Sequence, residues 1–408
     1  MKKGIKCNKT KKGNDILKIH TVKAGDTIFK IAREHGISPM KIIEDNALEY
    51  PDRLSVGQQL LILMPTRTYT VRGGDTLKKI ADRFNVTKEE LITRNPSLLG
   101  TEKIYPSQVL SLRYDTPPYA LLGANGYYYK GTGESRLRAV LPYLTYITVG
   151  LCKRYRKDIH TAFDDTELIK MLREEKKCIL MRVLDAGEAK LDEEIANSIV
   201  TLAKERGYNG VTLAAYRAQK EEREEYRTFV SLIKEKLNNE GMILFLEIDA
   251  NDTSVCDVAA DGYVLMYERC CLQNPCKIDG AEGRVMKEYH DAGLNHRCFI
   301  ELSPYAYADR EPMTKREAEK LAYNAALEIK NNKDYGISTF EYNRYKKGKR
   351  EVVRVVYESL ENIKAKLELV GELGFMGVTF DIMNVPTEYL MMLECMFKKP
   401  SFTPYCDM

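Results

Sequence analysis

The sequence predicts an α/β protein: two small βααβ modules followed by a (β/α)8 barrel. Three observations predict it. The chain repeats itself once near its start, prolines interrupt it at Asp115-Thr116-Pro117-Pro118, and strand-like apolar runs then alternate with amphipathic helical runs. At 408 residues and 44% hydrophobic content the chain has room for two or three domains and a sizeable core.

The repeat comes first. A single offset of 49 residues places Gly25-Asp26-Thr27 over Gly74-Asp75-Thr76, Ala32 over Ala81, Asn46 over Asn95 and Gln59 over Gln108. Each unit reads as a short strand (HTVKA; TYTVRG), a Gly-Asp-Thr turn and an amphipathic helix with apolar residues at Ile28, Ile31, Ala32 or Leu77, Ile80, Ala81. A second helix and a closing strand follow. The residues divide into a basic tail at 1–17, a first repeat at 18–65, a second at 66–114 and the barrel at 115–408. The prolines stiffen the junction before the barrel and end the preceding strand.

Eight strand candidates follow in about 280 residues, enough to close a barrel with its functional groups at the C-terminal strand ends. They are LLGANGYYY, TYITVGL, CILMRVL, GVTLAAY, MILFLEID, DGYVLMYE, CFIELSPY and GVTFDIM. Helical runs such as DDTELIKMLREEK, EEIANSIVTLAKERG, EEREEYRTFVSLIKEKLNNEG and ESLENIKAKLELVGELG separate them, and a polar insertion precedes the last helix and strand.

Composition excludes several functions. The net charge of +4 is interspersed, so no nucleic-acid footprint is expected, and KRYRK at Lys153–Lys157 reads as a solvated loop. No apolar run is long enough for a signal peptide or a membrane span, so neither Sec export nor a membrane partner is expected. Ten cysteines are too dilute for a disulfide scaffold. Cys270, Cys271 and Cys276, with His296 and Cys298 beyond, fit no CxxC zinc spacing, so the expectation is no metal and no cofactor.

The pattern VKAGDTIFKIAREHGISPMKIIEDN…LSVGQQLLI and its copy resemble the LysM module, a βααβ unit that binds N-acetylglucosamine polymers. The resemblance implies a shallow groove between the Gly-Asp-Thr loop and the loop after the second helix, where backbone groups read acetamido moieties. Candidate glycan-binding residues are Asp26, Thr27, Ile28 and Asn46 in the first repeat, and Asp75, Thr76, Leu77, Asn95 and Pro96 in the second. The plain alternative is that Asp and Thr cap a helix and Asn makes a turn.

The segments LPYLTYI, KERGYNGV, VLMYE and ESLENIKAKLELVGELGFMGVTFDIM resemble a family 18 glycoside hydrolase TIM barrel, of the LysM-bearing type that spore-forming bacteria use on cortex peptidoglycan. In that family the fourth strand carries D-x-x-D-x-D-x-E. Here the four positions are Asn209, Thr212, Ala214 and Tyr216, so every carboxylate is replaced. The resemblance implies that the glutamate protonates the glycosidic oxygen while the neighbouring aspartate orients the substrate's acetamido nucleophile. A tyrosine hydroxyl, with a pKa of about 10, is a poor acid at neutral pH, and alanine orients nothing. Of the family's usual set Tyr267 remains, with Glu268 beside it. The floor tryptophan of the last strand is replaced by Asp381, and the chain has no tryptophan; Tyr216, Tyr267 and Tyr305 are candidate substitutes.

The expectation is therefore no catalytic residue at the fourth strand and a glycan-binding, cell-wall-associated protein. Its partners would be N-acetylglucosamine glycans such as peptidoglycan or chitin-like oligomers. It would be made in the cytoplasm and deposited on the spore or wall. Two alternatives stay open: an active N-acetylglucosaminidase or transglycosylase using Glu247, Asp249, Glu268, Glu301 or Asp381, and a scaffold whose barrel binds spore-coat proteins.

Overall fold

A computed structural model describes residues 16–114, 119–155, 158–160, 163–184, 192–214, 223–250, 260–266, 281–346 and 348–398. Two βααβ units lead. The first is β1 (Leu17–Thr21), α1 (Ile28–His35), α2 (Pro39–Asp45) and β2 (Gln59–Leu63). The second repeats it as β3 (Arg67–Thr70), α3 (Leu77–Phe84), α4 (Lys88–Thr93) and β4 (Val109–Arg113). In each unit the two strands pair antiparallel. The threonine of each Gly-Asp-Thr turn is an N-cap: Thr27 accepts from Lys30 N and Thr76 from Lys79 N, each at 3.2 Å. Ile28, Ile31 and Ala32, and Leu77, Ile80 and Ala81, are buried, as their helical spacing requires.

After the short β5 (Tyr119–Leu121) the barrel begins with β6 (Gly123–Tyr128), α5 (Glu134–Val140), β7 (Tyr146–Tyr155) and β8 (Asp158–His160). It continues with α6 (Thr166–Glu174), β9 (Cys178–Leu184), α7 (Glu193–Arg206), β10 (Gly210–Ala214), α8 (Arg223–Asn239) and β11 (Ile243–Asp249). Next come β12 (Gly262–Met266), α9 (Ala281–Asp291) and β13 (Cys298–Glu301). The eight strands β6, β7, β9, β10, β11, β12, β13 and β19 (Gly377–Asp381) are parallel, and β19 pairs with β6 to close the barrel. Every residue of β9 and β10 is buried, as expected of strands covered on both faces.

The polar insertion, for which the sequence predicts no elements, is a folded unit of its own. It comprises β14 (Tyr305–Ala308), β15 (Glu311–Thr314), α10 (Lys315–Asn324), β16 (Lys330–Asn332), β17 (Ile337–Lys346) and β18 (Lys349–Glu358). Its sheet runs β15-β14-β18-β17-β16 over a small core that includes Ala318, Phe340 and Val355. From there α11 (Leu360–Glu372) leads to β19, and α12 (Thr387–Met396) and β20 (Phe397–Lys398) end the described chain.

The repeats are docked on the barrel. Leu17, Leu61 and Leu63 of the first repeat join the barrel's main apolar core. Its turn before β2 meets the insertion, with Ile329 N donating to Val56 O at 2.8 Å and Asn331 Nδ2 to Gly57 O at 2.7 Å. The second repeat is held where Tyr143 Oη donates to Thr93 O at 2.7 Å and Arg94 pairs with Glu394 at 3.2 Å. Gly57 has φ +85°, and a Cβ there would stand 1.7 Å from the Ile329 carbonyl oxygen. Gly57→Ala is therefore expected to lose about 1–3 kcal/mol through backbone strain alone and to undock the turn. A lowered urea midpoint with faster protease cleavage around residue 57 would show it.

A buried ion pair ties α2 together: Lys41 Nζ lies 2.6 Å from Asp45 Oδ1, while Asp45 Oδ2 has no partner among the described residues. Burial pushes the Asp45 carboxyl up to about 6, with Lys41 only partly opposing it. Because this value is raised above that of the unfolded chain, the stabilising contribution is complete below about pH 4 and is lost as pH rises through about 6. Asp45→Asn should flatten the dependence of the urea midpoint on pH across that window.

Candidate functional site

The barrel interior is layered. Tyr146, Phe245 and Phe299 meet at its lower end with ring centroids 5.3–5.6 Å apart. Above them lies a polar layer in which Thr148 Oγ1 donates to Asn125 Oδ1 at 3.0 Å and Asn125 Nδ2 donates to Thr379 Oγ1 at 3.3 Å. These side chains fill the barrel as a packed core rather than a pore.

The fourth barrel strand, β10, contributes small groups toward its C-terminal end. Asn209 sits before the strand, and its side chain accepts from Ile179 N at 2.9 Å, which ties it to β9. Thr212 is fully buried with its hydroxyl unpartnered among the described residues, and Ala214 is buried as well. Tyr216 lies outside the described residues, as do Tyr267, Glu268, Cys270, Cys271 and Cys276.

Arg182 and Glu247 stand on either side of this strand. Arg182 on β9 is in register with Thr212, and Glu247 on β11 with Ala214. Because β10 offers no bulk there, the two reach across it: Arg182 Nε donates to Glu247 Oε1 at 2.5 Å and Nη2 to Oε2 at 2.6 Å. Tyr127 Oη donates to Oε1 at 2.9 Å, and the Arg182 guanidinium lies 5.2 Å from the Tyr127 ring. Tyr129 stacks on Tyr127 with centroids 6.2 Å apart. Burial opposes the charge on Arg182, but Glu247 outweighs it and raises the guanidinium above its ordinary value. Burial, then Glu247, lifts the Tyr127 hydroxyl well above the usual tyrosine range, and burial pushes Tyr129 up to about 12. Both tyrosines are therefore neutral hydroxyls at physiological pH.

This geometry bears on the fallback acids. A general acid needs a protonated oxygen within reach of the leaving group. Glu247 is wholly buried and both its oxygens are taken by Arg182. Asp381 at the end of β19 accepts from Tyr305 Oη at 2.5 Å, Asn384 Nδ2 at 2.8 Å and Met383 N at 2.8 Å. It organises the turn after β19, and burial together with this bond raises the Tyr305 hydroxyl. Asp249 and Glu301 are half-buried at the ends of β11 and β13. Arg182 escapes sequence reasoning; its one signal there is a lone cation in the apolar run CILMRVL.

In the repeats, the candidate side chains mostly build the loops. Asp26 accepts from Lys23 N at 2.9 Å and Asp75 from Arg72 N at 2.8 Å, closing each Gly-Asp-Thr turn. Asn46 Nδ2 donates to Ile42 O and Leu61 O, both at 2.8 Å, and Asn95 Nδ2 reaches Leu91 O at 2.7 Å and Ser111 O at 2.9 Å. Ile28 and Leu77 are core residues, and Pro96 starts a short 3-10 turn. Thr27 and Thr76 are exposed, as is Phe29. What these loops can offer a ligand is backbone groups and the exposed rims around them.

The family model described as LysM domain matches residues 20–63 and 69–113. Both repeats are LysM domains. No curated protein matches the chain. Among solved structures, the spore cortex-lytic enzyme SleL of Bacillus megaterium is similar with a TM-score of 0.70 and 21% identity, covering 94% of this chain and 99% of that one. The Bacillus cereus SleL gives 0.69 and 17% over the same shares, and a chitinase from Chromobacterium violaceum gives 0.56 and 14% over 67% of this chain and 98% of that one. At these identities the likeness establishes the fold: LysM domains joined to a glycoside hydrolase-like barrel.

Proposed function

We propose that this chain is a non-catalytic glycan-binding protein of the bacterial wall, whose LysM domains hold N-acetylglucosamine-containing strands and whose barrel is a glycosidase scaffold without its acid. The observation that carries the reading is the Arg182–Glu247 pair. It closes the core over the strand where the fourth-strand acids would stand, and it engages both oxygens of Glu247, one of the candidate substitute acids. The likeness to spore cortex-lytic enzymes and chitinases supports peptidoglycan or chitin-like glycan as the ligand class, and the spore or cell wall as the place where the protein is laid down.

Both LysM domains are fastened to one body, so their loops would meet a glycan at a fixed separation and the second contact would be intramolecular. Thr27→Arg combined with Thr76→Arg places long side chains on both Gly-Asp-Thr loops, at a capping cost of about 1 kcal/mol each. Sedimentation with insoluble peptidoglycan is expected to show at least a tenfold loss of retention. Unchanged retention would place binding elsewhere.

A further inference from the structure

The first LysM domain carries a cluster that the second lacks. His20 on β1 and His35 at the end of α1 meet edge-on, with ring centroids 5.5 Å apart at 87°. His35 Nε2 lies 3.3 Å from His20 Nδ1, and the other nitrogen of His20, Nε2, lies 2.9 Å from Asp26 Oδ2. Glu34 brings a carboxylate oxygen to the same place, the three ligand atoms all lying within 4.8 Å of one another.

The second repeat shows what the fold alone requires. The 49-residue offset puts Tyr69, Arg83 and Phe84 at the positions of His20, Glu34 and His35. Tyr69 Oη donates to Asp75 Oδ2 at 2.8 Å, just as His20 reaches Asp26, and Tyr69 packs on Phe84 at 5.0 Å. Arg83 lays its guanidinium 5.8 Å and 5.7 Å from these two rings. Packing and loop closure thus need an aromatic pair and one donor to the loop aspartate. Two convergent imidazole nitrogens, with a carboxylate where the other repeat has a cation, go beyond that need.

We propose that His20 Nδ1, His35 Nε2 and the Glu34 carboxylate form a binding site for a divalent transition-metal ion of the zinc type, with a fourth position open to water. Two nitrogens that share a tetrahedral zinc at 2.0–2.1 Å stand about 3.3–3.4 Å apart, the separation found here. Two imidazoles and one carboxylate suit zinc and its neighbours rather than calcium or magnesium. Asp26 accepts from His20 Nε2–H, which fixes the tautomer and turns the Nδ1 lone pair toward the ion. His20 and Asp26 are buried or half-buried while Glu34 is exposed, so the ion enters from the Glu34 side. Since Asp26 also closes the Gly-Asp-Thr turn through Lys23 N, the ion braces one end of that loop.

The test is calorimetric titration of the reduced, metal-stripped full chain with Zn2+, alongside a His20→Tyr/His35→Phe variant that copies the second repeat. The native chain is expected to bind one more Zn2+ than the variant, and Asp26→Asn to weaken that site about 10–100-fold without changing the stoichiometry. Equal stoichiometry and affinity in native chain and variant would overturn the proposal and assign any zinc to the cysteines. Should the double variant melt early in the absence of metal, Glu34→Gln on the exposed face serves in its place. A loss of affinity at the same site supports the proposal, and no change contradicts it.

Discussion

Arg182→Ala is expected to cost about 3–5 kcal/mol of stability, because it leaves the Glu247 carboxylate wholly buried with, among the described residues, a tyrosine hydroxyl as its remaining partner. Glu247→Ala should cost a similar amount by stranding the guanidinium, which is almost as deeply buried. Replacing the pair by apolar groups reverses the sign of the argument. An Arg182→Met/Glu247→Leu/Tyr127→Phe chain removes both charges and the hydroxyl that would otherwise lose its acceptor, and it should lie close to the native protein in stability or above it. Urea unfolding of these variants measures all three effects. A loss below about 1 kcal/mol for Arg182→Ala would show that the two charges are not held together away from water.

Lys315→Met is expected to have an effect of the same size, spread over a larger area. Lys315 Nζ lies 2.5 Å from Glu388 on α12 and 3.1 Å from Glu319 on its own helix; Lys315 and Glu388 are buried and Glu319 is half-buried. Burial opposes the lysine's charge, and the two glutamates together raise it well above its ordinary value. Without it two carboxylates face each other in a low-dielectric seam, a cost of about 3–5 kcal/mol. Glu319 also accepts from Gln58 of the first LysM domain at 3.3 Å, so the seam joins LysM domain, insertion and barrel. The predicted readout is a lower melting temperature together with faster proteolysis within 47–58 and 305–358. A lower melting temperature with native protease resistance at both segments would show that the three parts are held together by other contacts.

The barrel is legible because parallel strands covered on both faces read as near-continuous apolar runs, such as CILMRVL and MILFLEID, and helices of period 3.6 lie between them. The LysM domains were legible because the repeat fixed their register. The insertion was not, although ISTFEYNRYK and KREVVRVVYE pair as a hairpin over ten residues each. Their alternation was diluted by charged residues on the exposed face, and their apolar side faces only a small local core.

The site was harder. The resemblance implies that Asn209, Thr212, Ala214 and Tyr216 replace the family's fourth-strand carboxylates, and that much is legible in the sequence; what fills the space beside β10 is not. Arg182 and Glu247 are 65 residues apart, and their contact exists only once β9, β10 and β11 are in register. His20 and His35 are likewise separated by a turn and a helix, and each alone reads as an ordinary aromatic of a small core. Asn46 and Asn95 are expected at the glycan-reading loops; their side-chain amides join helix to strand.

Whether glycan is held and not cut is read from the release of reducing ends from spore cortex peptidoglycan and chitin oligomers during prolonged incubation with the full chain. Loss of a general acid alone removes on the order of 10²–10⁴ in rate, so the predicted result is glycan retained on the protein with reducing ends at the level of the protein-free control. Sustained release that disappears in Glu247→Gln, Asp249→Asn or Glu301→Gln would contradict the account, because it would mean that a carboxylate at the barrel mouth still donates a proton.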